Sequence, residues 1–250
     1  MLPLYKKHTV VLILGTLLLI PRILSAQSAE SIIQKMDELQ SFDSLKSTGS
    51  LITKDRFGTK TVTFISWSEG SDSSLIEFTS AAEAGQKILR TSEELFLYFP
   101  DAEEVIRLQG AALRQSMMGS DISYEDMTDG KDTLDKYEVE LLGEELVEGQ
   151  NCYVIEMTAK SRRVPYPKQT VWVLKESFIP QKVEYFSKSG KLLKEMRVLE
   201  VMDMDDKMII SRMVLEDKLK KNSSTEMILE TIEVDVSLPS NFFSLDQLSW

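Results

Sequence analysis

The chain has 250 residues, of which 42% are hydrophobic and 28% are charged, a composition that is ordinary for a globular protein and excludes a disordered or fibrous chain. The formal net charge of −11 argues against binding to nucleic acid, because an acidic chain repels phosphate backbones. A single cysteine, Cys152, cannot form an internal disulfide, and its apolar surroundings in the sequence predict a small buried side chain.

Residues 1–26 have the pattern of an export signal. Lys6 and Lys7 precede an apolar run, and small residues precede a predicted cleavage site after Ala26. The apolar run is about a dozen residues long, shorter than the roughly 20 needed to span a bilayer, although an uncleaved anchor is the alternative. We therefore expect residues 27–250 to form one domain outside the cytoplasm. Cleavage would also remove His8, the only histidine.

Without histidine, catalysis by a Ser-His-Asp or Cys-His site is excluded, and so are the zinc sites that need His. The sequence also has none of the common nucleophile or phosphate-binding motifs. An enzyme would have to use carboxylates alone, as glycosidases do. The available sets are Glu103 with Glu104, Glu144 with Glu145, and Asp203 with Asp205 and Asp206. The three tryptophans, Trp67, Trp172 and Trp250, are distant from all of these sets in the sequence. We expect no catalytic residue, no metal and no cofactor.

The third acidic set begins like a calcium-binding loop. It lacks the required glycine, and Val214 stands where the closing glutamate belongs, so the sequence favours a polar turn.

The first element after the predicted signal is an amphipathic helix. Ile32, Ile33, Met36 and Leu39 recur at helical spacing, and Ser28 is a candidate N-cap. Short strand-like runs separated by turn residues then continue to the C-terminus, with no alternation of strand and helix. We predict ten or eleven strands in an antiparallel sheet that curves towards a barrel. The alternative of a domain boundary at the prolines of residues 165–167 is less favoured.

Two strand-like runs, VTFISW (62–67) and LFLYF (95–99), are apolar on both faces and should be covered on both sides, by a helix on the outside and by another element on the inside. The other cover could be plain core or a cavity for an apolar ligand. Methionines are frequent, and their flexible side chains suit ligands of variable shape as well as an irregular core.

The stretch LRQSMMGSDISYEDM (113–127) follows a strand and combines an apolar side with a glycine. We interpret it as a lid over the cavity, in which Met117 and Met118 face inward, Gly119 is the hinge, and Ser120 or Asp121 caps a short helix that contains Tyr124. A helical crossover packed permanently on the sheet is the alternative.

The segments GSLITKDRFGTKTVTFISWSEGSDSSLIEFTS (49–80) and ELFLYFPDAEEVIRLQGAALRQSMMGSDISYEDM (94–127) resemble the LolA-like outer-membrane lipoprotein-sorting proteins of Gram-negative bacteria. The more specific parts are LYFP (97–100), Arg107 and QSMMGSDISYED (115–126). The resemblance implies a mainly β fold, an incomplete antiparallel β-barrel with a helical lid over a hydrophobic cavity. It also implies a monomeric periplasmic carrier that takes the acyl chains of lipoproteins or lipids from an inner-membrane transporter to an outer-membrane acceptor. The alternative is a lipid or lipoprotein sensor of the same fold that regulates an envelope partner.

In this interpretation a set of apolar residues lines the cavity: Phe64, Leu97, Phe99, Ile106, Met117, Met118 and Trp172. The classical carriers have an arginine that bonds to the lid, but the corresponding region here, SWSEGSDSSL (66–75), has none. Arg107 or Arg114 is the predicted substitute for this lid lock.

Overall fold

The computed structural model describes residues 27–92, 94–128, 132–162, 164–204 and 207–248. The predicted signal at residues 1–26, two members of the third acidic set, Asp205 and Asp206, and Trp250 lie outside these ranges. Within them, no helix has the length and apolar character needed to cross a membrane.

The described part of the chain is mostly strand. The strands are β1 (Ser44–Asp55), β2 (Gly58–Glu69), β3 (Ser73–Phe78), β4 (Lys87–Arg90), β5 (Leu95–Phe99), β6 (Glu104–Leu108), β7 (Tyr137–Val147), β8 (Gln150–Ala159), β9 (Lys168–Leu174), β10 (Pro180–Phe186), β11 (Leu192–Met204), β12 (Lys207–Asp217) and β13 (Ser224–Val234). The α-helices are α1 (Ala29–Leu39) and α2 (Thr133–Lys136), and the 3₁₀ turns are Gly110–Arg114, Met117–Gly119, Tyr124–Thr128 and Leu245–Gln247.

All thirteen strands belong to one open antiparallel sheet, in the order β6-β5-β4-β3-β2-β1-β13-β12-β11-β10-β9-β8-β7. The predicted fold class is confirmed, but the predicted count of ten or eleven strands is too low. β6 and β7 form the two edges of the sheet although they follow each other in the chain. The connection between them must therefore cross a whole face of the sheet. Its first part, residues 110–128, is called the covering segment below.

Helix α1 begins as predicted, because the Ser28 hydroxyl oxygen accepts a hydrogen bond from the Ser31 N–H at 3.2 Å. Its apolar side, which includes Ile32 and Ile33 at 0% exposure, packs on Ile155, Val171 and other residues of β7 to β10. The helix therefore covers one end of the face that the covering segment crosses, here called the inner face.

The inner face contains two apolar clusters. One lies under the covering segment on β1 to β5, the other lies under α1, and Tyr185 and Met196 contact both. Because side chains alternate along a strand, the residues between these positions lie on the outer face. There Trp67, Leu75 and Phe96 pack with residues of the C-terminal segment, residues 235–248.

The run at 62–67 is thus covered on both faces, as its sequence predicts. The prediction of a helix on the outside is wrong, however, because the outer cover of β2 is the irregular C-terminal segment.

Candidate functional site

An apolar cavity of about 440 Å³ lies on the inner face, between the covering segment and the strands β1–β3 and β10–β13. Its apolar and aromatic lining consists of Leu45, Leu51, Phe64, Ile76, Phe78, Met117, Ile122, Tyr166, Tyr185, Met196, Met213, Leu215, Met227 and Leu229. Three further residues add polar atoms: Ser47, Ser66 and Asp126. The two serine hydroxyls bond to each other at 2.7 Å, so the wall that they form offers little to a polar ligand.

Alternation along the strands produces this lining. Met213 and Leu215 on β12, and Met227 and Leu229 on β13, are each two residues apart and therefore point to the same side. Gly49 on β1 lies directly opposite Phe64 on β2. A Cβ at Gly49 would lie 2.9 Å from the Phe64 Cζ and 2.3 Å from the Ile228 carbonyl oxygen. Glycine at this position therefore leaves space for the aromatic ring on the cavity floor.

Four of the lining side chains are methionines: Met117, Met196, Met213 and Met227. Unbranched thioether side chains adjust their shape at low cost, so the wall can adapt to what it contacts. A second and more open pocket of about 340 Å³ adjoins the first, and Leu45 lines both. It is partly apolar through Phe42, Met208 and Ile209.

A buried polar cluster lies at one side of the cavity. The Asp126 carboxylate accepts hydrogen bonds from the Ser123 hydroxyl at 2.8 Å, from the Tyr166 hydroxyl and from the Lys194 ammonium. The Lys194 ammonium also donates to the Ser123 hydroxyl oxygen at 3.0 Å. Burial, together with the neighbouring Asp126 carboxylate, raises the pKa of Tyr166, so this phenol stays a neutral donor. The cluster joins the covering segment to β11 and to the loop before β9.

A second polar cluster holds the tip of the covering segment, residues 116–121. The Asp121 side chain is 0% exposed, and it accepts hydrogen bonds from the hydroxyls of Ser223 at 2.7 Å and Thr225 at 3.1 Å. The Lys220 ammonium lies 3.4 Å from the same carboxylate and donates to the Ser120 carbonyl at 2.6 Å. These contacts attach the tip to β13 and to the turn that precedes it.

One further lysine reaches the tip from the other side. The Lys60 ammonium on β2 donates to the Met118 carbonyl at 3.2 Å and pairs with Glu83 at 2.8 Å. The tip is thus attached both to β2, through Lys60, and to the β12–β13 turn, through Lys220.

The predicted cavity residues are distributed over several places. Phe64 and Met117 line the cavity. Leu97 and Phe99 pack in the same apolar cluster but do not line the cavity. Ile106, which is 38% exposed on the edge strand β6, is also outside the lining.

The remaining two predicted cavity residues are also outside the lining. Met118 belongs to a shallow pocket beside Lys60 at the end of the sheet. Trp172 lies on the outer face with Cys152 and Val154 and donates through its indole N–H to Glu145 at 2.8 Å. The placement of Trp172 in the cavity was therefore wrong. It alternates with Val171 and Val173, which face α1.

The predicted lid residues lie in the covering segment, but the capping role predicted for Ser120 or Asp121 is not found. Gly119 has a φ of +81°, and Met118 before it has a φ of 52°, so the backbone turns there through the left-handed region. The prediction that Ser120 or Asp121 caps the next helix is wrong. The Ser120 hydroxyl instead donates to the Met117 carbonyl at 2.6 Å, and Asp121 binds the sheet. Tyr124 is buried in the apolar cluster.

Neither predicted lid lock joins the covering segment to the sheet. Arg107 on β6 pairs with Glu94 at 2.6 Å, and Arg114 pairs with Glu125 within the segment itself at 3.7 Å. Lys60, Lys194 and Lys220 make the connections instead. Sequence reasoning missed them because a lysine in a strand or turn is normally solvent-exposed, and nothing local to these positions marks a distant acceptor.

Of the carboxylates considered for catalysis, none of those within the described ranges lines the cavity. Glu103 and Glu104 are exposed at the turn into β6, and Glu144 is exposed on the β7–β8 hairpin. In the described ranges, no group of three His, Cys, Asp or Glu side chains is placed to hold a metal ion.

Comparison with solved structures defines the class of the fold. A DUF1329 family protein from Desulfovibrio piger superposes with a TM-score of 0.81 at 25% identity, covering 89% of this chain and 100% of that one. A LolA superfamily protein from Nitrosomonas europaea gives 0.76 at 28% identity, with coverage of 89% and 100%. A Vibrio parahaemolyticus domain named for outer membrane lipoprotein sorting gives 0.80 at 23% identity, with coverage of 89% and 98%. The chain has the LolA-like fold, and the predicted resemblance is confirmed.

A family model described as "Uncharacterized protein" matches residues 70–250, and the chain belongs to that family. No curated protein matches the sequence.

Proposed function

We propose that this protein is a periplasmic carrier that binds acyl chains of lipoproteins or lipids in the inner-face cavity and moves them towards the outer membrane. The observation that supports this proposal most directly is the cavity itself, an adaptable apolar space under a segment held by polar contacts. Each methylene that leaves water contributes roughly 0.8 kcal/mol, so an acyl chain partitions into such a space. The similarity to a LolA superfamily protein at 28% identity supports the same function.

Several parts of the proposal extend beyond the cavity. We propose that residues 27–250 form one domain, that the signal is cleaved after Ala26, and that the carrier works as a monomer. An inner-membrane transporter would load it, and an outer-membrane acceptor would unload it. The covering segment would act as the lid, with Gly119 as the hinge. Binding and release require no bond to be broken, which is consistent with the absence of histidine from residues 27–250.

The first test is native mass spectrometry of the protein purified from the envelope fraction under mild conditions, followed by extraction and identification of bound lipid. Recovery of stoichiometric acyl lipid or lipoprotein is the expected result. A protein that is empty, stays empty after incubation with membranes and co-purifies with an envelope protein would support the sensor alternative.

A matched pair of variants tests whether the cavity is the binding site. Met213→Glu places a carboxylate among the lining residues, whereas Val214→Glu places it on the outer face of the same strand. We expect Met213→Glu to weaken uptake of a fluorescent fatty acid at least tenfold, because an unpaired charge strongly disfavours an apolar environment. Val214→Glu should bind like the unchanged protein. Equal binding by both variants would place the acyl site elsewhere.

A further inference from the structure

Four connections between strands lie side by side at one end of the strands. They do so because the turns that join neighbouring antiparallel strands alternate between the two ends. They are described at residues 54–60, 217–223, 187–191, and 160–162 with 164–168. The strand registers that bring them together are Lys54 opposite Ser224, Lys194 opposite Asp217, and Phe186 opposite Lys168. This row of connections is called the basic edge below, and it lies at the ends of the strands, not along the edge strands β6 and β7.

The basic edge differs in charge from the rest of the molecule. Its described residues include eleven lysines and arginines but two acids, although the whole chain carries a net charge of −11. At the opposite ends of the strands, the connections described at residues 69–73, 147–150, 174–180, and 203–204 with 207 contain five acids and two lysines. On the other side of β2, the connection between β5 and β6 lies at the same end of the strands as the basic edge, but it is acidic, with Asp101 and Glu103. The positive charge is therefore concentrated at the connections between β2 and β8.

Two large apolar side chains project from this edge. Phe57 at the β1–β2 turn is 82% exposed, and Leu219 at the β12–β13 turn is 56% exposed. Both turns are built in the same way. The Asp55 carboxylate accepts a hydrogen bond from the Phe57 N–H at 2.7 Å, and the Asp217 carboxylate accepts one from the Leu219 N–H at 2.9 Å. These turns fix an apolar residue at the tip and use the acid locally.

We propose that the basic edge docks on the surface of an anionic lipid bilayer, with Phe57 and Leu219 entering the boundary between headgroups and acyl chains. Lysines and arginines near an anionic surface are attracted to lipid phosphates, and apolar tips add affinity by leaving water. A bilayer accepts both tips at any separation, whereas a folded acidic protein would need two pockets at matching positions. The combination of cationic flanks and projecting apolar tips therefore favours the bilayer.

The basic edge also holds the tip of the covering segment. Lys60 and Lys220, which belong to the two turns with apolar tips, donate to the carbonyls of Met118 and Ser120. Docking would bring lipid phosphates close to both ammonium groups. For the proposed carrier, the bilayer would thus meet the cover of the cavity. The docking proposal itself does not require the cavity to be filled.

The test is co-sedimentation of the protein, purified from cells that express the full sequence, with vesicles of phosphatidylethanolamine and phosphatidylglycerol at 3:1. Phe57→Ser with Leu219→Ser should weaken binding at least tenfold. Lys54→Glu with Lys221→Glu, two exposed positions of the same edge, should weaken it at least about 25-fold, since each cation near the surface contributes about fivefold. Binding should fall in 0.5 M NaCl and be weak on phosphatidylcholine vesicles.

The matched control is Leu146→Ser, which removes a side chain that is 70% exposed on the acidic β7–β8 hairpin and should leave vesicle binding unchanged. Fatty-acid uptake without vesicles should be equal in all these variants, so a failed carrier function and a failed docking surface give different results. Failure of the unchanged protein to bind anionic vesicles at 50 mM salt would overturn the proposal. So would equal binding by the Phe57→Ser and Leu219→Ser double variant, and in either case an acidic protein partner would be the next candidate.

Discussion

Helix α1 and the covering segment both lie on the inner face of the sheet, but different interactions hold them there. The helix is held by apolar area, since Ala29, Ile32, Ile33 and Met36 are at most 9% exposed. Burying an isoleucine or methionine side chain contributes about 1.5–3 kcal/mol to the stability of the fold. This contribution follows the apolar area removed from water and does not require a specific contact geometry.

The covering segment buries a mixture of apolar and polar side chains. Its polar attachments are directional, through Asp121 to Ser223 and Thr225 and through Asp126 to Lys194. Hydrogen bonds of this kind contribute about 0.5–3 kcal/mol net, because water or another polar partner can replace them. The comparison indicates that apolar burial holds α1, whereas the covering segment combines the buried side chains of Met117, Ile122 and Tyr124 with directional polar contacts.

The largest expected effect on stability comes from removing part of the apolar contact between α1 and the sheet. Ile33→Ala should lower the free energy of unfolding by about 2–5 kcal/mol, because it leaves a cavity at a position with 0% exposure. Urea unfolding measures the loss, and the affinity for a fluorescent fatty acid should stay within a factor of two. A loss of affinity in protein that is still folded would mean that α1 shapes the binding site.

An intermediate effect on stability is expected from weakening the polar contacts of the covering segment. Asp121→Asn keeps the shape but removes the charge that faces Lys220, and should cost about 1–3 kcal/mol. Hydrogen exchange followed by mass spectrometry should show faster exchange in residues 116–122 and unchanged exchange in α1. Loss of protection throughout the chain would show that the covering segment unfolds only with the whole domain.

The smallest effect is expected for Glu125 in the covering segment. Burial raises its pKa, and Arg114 only partly opposes this. The folded state therefore retains the proton more strongly than the unfolded state, so Glu125 lowers stability as the pH rises from the ordinary glutamate pKa through the raised one. Glu125→Gln should remove this loss and make the variant slightly more stable than the unchanged protein at pH 7.

The difference between the two proteins should shrink towards pH 4. Urea midpoints measured between pH 4 and 7 would test this, with Glu138→Gln on the exposed side of β7 as the control. A variant that is less stable at pH 7 would show that the pair with Arg114 outweighs the burial of Glu125.

Much of the fold could be predicted from the sequence because its signals are local. The spacing of Ile32, Ile33 and Met36 and the cap at Ser28 predicted α1, and the alternating runs predicted an antiparallel sheet. Phe64 and Met117, two of the residues predicted to bind lipid, line the cavity, and their role in binding stays a prediction. The predicted count of ten or eleven strands was lower than the thirteen strands of the sheet, although LFLYF, which forms β5, was among the predicted runs.

The sequence by itself thus determined the class of fold and the approximate position of the covering segment, because hydrophobic periodicity is a property of neighbouring residues. Tertiary structure alone decided which face Trp172 occupies, since a shift of one residue exchanges the two faces of a strand. It also decided that Lys60, Lys194 and Lys220 hold the covering segment. Lys220 and Asp121 are about a hundred residues apart in the chain, and they meet only because the covering segment packs against β13 and the turn that precedes it.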